Sequence, residues 1–199
     1  LEHVKLDLSS YFYSLGLLVE FQRLISTIEE LCSFYDKCLK IDSKSLRLVI
    51  HASDIWLYDM VKKANIRYDV VKSYDDLSKF RHRYGIDNIY GVNINFVIKK
   101  PTGKDVQFAN FNILVNSKNE YLGAEFGMGI GLFISGLYNL SDSLEASFAS
   151  YMEFPVNSPL ISWKIKDALS VLVHLFKEEI WPGGKGQRDI CKCLSLIHI

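Results

Sequence analysis

The fold class is decided by the stretch Val92-Asn-Ile-Asn-Phe-Val-Ile98, a break at Pro101-Thr-Gly103, and Val106-Gln-Phe-Ala-Asn-Phe-Asn-Ile-Leu-Val115. Apolar side chains alternate with asparagine in the first run, which is the period of a half-buried strand. Proline and glycine are turn residues, so the second run is predicted to return as a neighbouring strand. Its alternation slips around Ala109 and Asn110, as it would at a β-bulge.

The chain after this hairpin predicts that the sheet continues as a β-meander. Residues 116–119 are typical of a second turn, and residues 121–126 of a third strand. Residues 128–140 could form a helix, but their glycines disfavour it, so we predict a further strand, with residues 127–136 in the sheet. Residues 146–154 are predicted as another strand.

The sequence on both sides of this meander has helical periodicity. Before the meander, this periodicity predicts a long amphipathic N-terminal helix over residues 11–40, capped by Ser9 or Ser10. The other predicted elements are strands over residues 46–50 and 67–71 and helices over residues 54–64, 74–83 and 163–179, with Ser53, Ser73 and Ser162 as their respective caps. The expected inward side chains of the last helix are Ile165, Leu169, Leu172, Val173 and Phe176. We therefore predict an α+β fold, in which helices flank a mostly antiparallel sheet.

The expected organisation is an N-terminal segment over residues 1–72 and an α+β domain over residues 73–190. Residues 194–199 read Leu-Ser-Leu-Ile-His-Ile, which matches the translation of a sequencing-adapter end, although a natural apolar tail is the alternative. We expect the sequence to be a fragment, because it begins at Leu1 and ends in this string.

The amino-acid composition disfavours several classes of function. The 23 basic and 23 acidic residues cancel, which disfavours a nucleic-acid partner. The longest uncharged stretch, residues 126–140, is shorter than the roughly 20 residues that span a bilayer, so no membrane partner is expected. The four cysteines, Cys32, Cys38, Cys191 and Cys193, have neither disulfide nor zinc-knuckle spacing, and reduced thiols suit a cytoplasmic protein.

Two glycine-rich strings and one histidine were considered for chemistry. The string from Glu125 to Ser135 is similar to the glycine box of histidine-kinase-type ATPases, but the Asn-bearing helix and the Asp-x-Gly-x-Gly turn of that family do not precede it. Residues 183–186 have only half of a phosphate loop, so we expect no cofactor and interpret them as a helix-terminating loop. His51 lies at a strand end before Ser53, where a catalytic site is the alternative to packing.

Protein binding is the leading functional hypothesis, and two surfaces are candidates. One is the charged helix surface with Asp75, Asp76, Arg81 and His82, whose alternative is an ordinary solvated face. The other is the polar side of the meander, with Asn93, Asn95, Asn112 and Glu120. The chain also has 11 tyrosines, a residue type enriched at interfaces.

Three segments carry a family resemblance. They are Ser73-Tyr-Asp-Asp-Leu-Ser-Lys-Phe80, Phe111-Asn-Ile-Leu-Val-Asn-Ser-Lys-Asn-Glu-Tyr-Leu-Gly123, and Glu153-Phe-Pro-Val-Asn-Ser-Pro-Leu-Ile161 followed by Asp167-Ala-Leu and Phe176. They resemble, in order, the opening helix, the central hairpin, and the extended segment with closing helix of a family of bacterial toxin-immunity proteins. The family's tryptophan would correspond to Trp181, at a shorter spacing.

This resemblance covers residues 73–181 and leaves residues 1–72 outside. It implies a non-enzymatic bacterial protein that binds and blocks a cognate toxin. The alternative is an enzyme of unknown reaction, with its site near His51 or beyond the ends of this sequence.

Overall fold

The computed structural model describes residues 13–75, 88–146, 153, 158–186 and 192. It divides into two compact units. One is Ser14–Asn139, and the other contains Tyr13 and the described residues from Leu140 onward. Strands before and after residue 72 share one sheet, so the boundary predicted there lies within Ser14–Asn139.

The unit Ser14–Asn139 is built on a mixed six-stranded sheet in the order β1-β6-β5-β4-β2-β3. The strands are β1 (Ser14–Val19), β2 (Leu46–His51), β3 (Asp69–Ser73), β4 (Ile89–Lys99), β5 (Asp105–Asn116) and β6 (Tyr121–Gly129). Only β2 and β3 are parallel; the other four pairs are antiparallel. The predicted α+β class and mostly antiparallel sheet are therefore confirmed.

The hairpin of β4 and β5 follows the alternation that predicted it. Phe96 pairs with Ala109 and Val97 with Gln107, which leaves Phe108 as the extra residue. The predicted bulge is present, one residue earlier than the slip in the pattern indicated. Asn119 closes the next turn with a φ of 60°, a left-handed conformation that asparagine tolerates.

The described residues form four α-helices, three of them in the sheet-containing unit. They are α1 (Leu24–Lys37), α2 (Ile55–Lys62), α3 (Ile130–Leu137) and α4 (Pro159–Lys177). A single 3₁₀ turn, Phe21–Arg23, leads into α1. In the part of the chain that the structure describes, no helix is both long and apolar enough to traverse a bilayer.

The prediction of a long N-terminal helix was wrong. Residues 14–19 form β1, and the helical part covers only the 3₁₀ turn and α1. Leu15 and Leu18 fit a helical period, but the apolar run from Leu15 to Val19 fits a strand equally well. All six residues of β1 pair with β6, whereas Gly16 in the interior of a helix would lower the stability of that helix. Ser9 and Ser10 lie outside the described residues.

The strand predicted across residues 127–136 was wrong in its second half. Residues 127–129 belong to β6, but α3 begins at Ile130. Its glycines lower helix propensity, yet Gly136 allows a close approach, because a Cβ there would lie 3.2 Å from Cβ of Ile98. Phe133 is buried in the same place, 5.0 Å from the ring of Phe108. Packing on the sheet therefore outweighs local propensity.

The predicted caps of α2 and α4 were displaced by one and by four residues. Asp54 rather than Ser53 precedes α2, and Ser158 rather than Ser162 caps α4 by accepting the amide hydrogen of Ile161. Ser73 is the last residue of β3. The buried residues of α4 are Asp167, Ala168, Ser170 and Leu172, whereas the predicted inward residues Val173 and Phe176 are exposed. The helix predicted from residue 74 and the strand predicted at 146–154 lie almost wholly outside the described residues.

Helices and sheet bury one contiguous apolar core within Ser14–Asn139. Tyr35 of α1 is 1% exposed and contacts Phe96, Phe108 and Phe133 with ring centroids between 5.9 and 6.3 Å away. Burying each such phenylalanine contributes roughly 1.5–3 kcal/mol. This core fixes the sheet and therefore fixes the positions of side chains at its ends.

Candidate protein-binding surface

The asparagines of the meander do not form the exposed patch that their alternation predicted. Asn93 and Asn95 are each 3% exposed, and Asn112 is 6% exposed. Asn95 Oδ1 accepts from Gln107 Nε2 at 3.1 Å, and Asn112 Oδ1 accepts from Asn110 Nδ2 at 3.4 Å. Alternation separates the two faces of a strand, but it does not reveal whether the polar face meets solvent.

The other predicted partner-binding residues are partly described. Asp75 is exposed, and its amide donates to Ser73 Oγ at 3.2 Å. Asp76, Arg81 and His82 lie outside the described residues. Glu120 is exposed at the turn between β5 and β6, where its carboxylate accepts from Asn116 Nδ2 at 2.7 Å. Glu120 thus keeps its place as a surface residue.

His51 and Ser53 are brought together at the end of β2. His51 is buried and Ser53 is exposed, with 2.7 Å between Nδ1 and Oγ. The same Nδ1 accepts the Ser53 amide hydrogen at 3.1 Å. A neutral imidazole has only one acceptor nitrogen, so that nitrogen is engaged by the chain itself. This geometry closes a turn more readily than it activates a nucleophile.

Ligand-binding features are weak among the described residues. No group of three or more His, Cys, Asp or Glu side chains in that part of the chain could hold a metal ion. A groove of about 630 Å³ runs beside α1, but Asp36 there pairs with Arg67, and Glu29 accepts the Asn65 amide hydrogen at 2.7 Å. These charged groups already have partners within the chain.

A cluster of three aromatic side chains lies at one end of the sheet, and we call it the aromatic surface: Phe21, Trp56 and Tyr121. Phe21 begins the 3₁₀ turn after β1, Trp56 is the second residue of α2, and Tyr121 is the first residue of β6. The rings of Phe21 and Tyr121 stack at 4.4 Å and 10°, and those of Trp56 and Tyr121 lie 4.8 Å apart. Trp56 is 36% exposed and Tyr121 is 42% exposed, so the cluster is ordered but open to solvent.

Chemistry around the aromatic surface favours a mixed apolar and polar contact. Partial burial, and then the neighbouring Tyr90, raises the pKa of Tyr121, so its hydroxyl stays neutral and able to donate a hydrogen bond. Ile55 and Leu122, which adjoin Trp56 and Tyr121 in sequence, are 56% and 50% exposed. Trp56 and Tyr121 therefore combine exposed ring surface with polar groups able to donate a hydrogen bond, as aromatic residues at protein interfaces do.

The aromatic surface was missed at the level of sequence because its members lie far apart in the chain. Each is an isolated aromatic residue at the start of an element, and only the sheet order brings β1 beside β6. The large number of tyrosines indicated a binding surface, but it did not indicate which aromatic residues lie together on that surface.

No protein-family model matches the sequence, and no curated protein matches it with significant similarity.

Proposed function

We propose that this protein is a non-enzymatic binding module that contacts another protein through the aromatic surface. The observation that carries the proposal is the cluster of Phe21, Trp56 and Tyr121, in which Tyr121 stacks on the half-buried Phe21 while Trp56 and Tyr121 are exposed. Tryptophan and tyrosine are the residues that most often dominate binding energy at protein interfaces. Their rigid rings also lose little conformational entropy on binding.

The partner to test first is a bacterial toxin. The segments around residues 73–80, 111–123 and 153–161 support this choice through their resemblance to immunity proteins. A toxin-neutralising role requires affinity rather than catalysis, which agrees with the engagement of His51 Nδ1 by Ser53. A toxin gene directly upstream of the coding sequence would support the proposal, whereas a metabolic operon would favour an enzyme.

Catalysis near His51 is the second candidate, and one observation favours it. Ser53 Oγ lies 2.7 Å from His51 Nδ1, which is within reach for proton transfer, and Ser53 is exposed. Loss of a measured hydrolytic activity in Ser53→Ala, with binding unchanged, would move the function to this pair of residues.

The test of the binding function uses the full chain to capture its partner from source cells, after which the affinity of the purified pair is measured. We expect Trp56→Ala and Tyr121→Ala each to weaken binding by at least about thirtyfold, as hot-spot residues do. Tyr138→Ala is the matched control, because Tyr138 is 69% exposed and lies outside the aromatic surface. Equal affinity for all three variants would contradict the proposal.

A further inference from the structure

We draw no further inference here: the strongest candidate, the exposed apolar edge strand β1 with Leu15, Leu17 and Leu18, carries nothing because nothing in the structure shows what covers it.

Discussion

Burial separates the two described cysteines at the scale of single residues. Cys32, on the buried face of α1, is 2% exposed, whereas Cys38, just past the end of α1, is exposed. Burial, with a smaller contribution from Glu29, raises the pKa of the Cys32 thiol to about 12. The thiolate is the reactive form, so Cys32 is inert in the folded protein. Both described thiols are free.

This difference predicts the outcome of alkylation near neutral pH. Iodoacetamide should modify Cys38 in the native protein and leave Cys32 intact, as measured by mass spectrometry of the two peptides. In denaturant both should react at similar rates. Modification of Cys32 at the rate of Cys38 without denaturant would show that α1 opens far more often than its buried residues indicate.

Individual residues also set the limit of what could be predicted about the candidate site. His51 and Ser53 are two positions apart, so their proximity is a local property that the sequence contains. The aromatic surface depends on Phe21 and Tyr121, which are neighbours only because β1 pairs with β6. The sequence pattern of one strand does not show which distant strand it pairs with. Because residues 14–19 were predicted to be helical, β1 was also missing from the predicted sheet.

Secondary-structure elements were predicted correctly where the local sequence pattern and tertiary packing favour the same structure. They were mispredicted where tertiary packing outweighs the local pattern. The meander strands β4, β5 and β6 have alternating faces and strong turn residues, so they were predicted within a few residues. Residues 130–137 contain Gly131, Ser135 and Gly136, which weaken a helix. They nevertheless form α3, because this helix packs against Phe108 and Ile98 of the sheet. Propensity differences of about 1 kcal/mol are smaller than the gain from burying Phe133.

The contact between α3 and the sheet predicts the effect of substitution at Gly136. A Cβ at this position would lie 3.2 Å from Cβ of Ile98, so Gly136→Val should destabilise the protein by roughly 1–3 kcal/mol through overpacking. Urea denaturation measures the change. Gly184→Ala is the control, because nothing lies within 4 Å of its added Cβ. A Gly136→Val protein as stable as the parent would mean that α3 does not pack closely on β4.

The position of the core decides, at the scale of the whole molecule, which part of the chain can fold alone. The contiguous core extends from Leu24 to Phe133 and lies inside Ser14–Asn139. The predicted domain at residues 73–190 would lack β1, β2, α1 and α2, which contribute Tyr35, Leu48 and Leu57 to that core. Residues that supply one core belong to one folding unit, whatever their distance along the chain.

This distribution predicts opposite behaviour for two fragments. A fragment of residues 14–139 should unfold in a single cooperative transition and give dispersed amide signals in NMR, because it contains all six strands and their core. A fragment of residues 73–190 should show no cooperative transition, since its meander would expose Phe96, Phe111 and Phe126 on the face that α1 and α2 cover in the full chain. Thermal denaturation followed by circular dichroism distinguishes the two outcomes. Cooperative unfolding of 73–190 alone would restore the predicted boundary near residue 72 and would require the meander to have a core of its own.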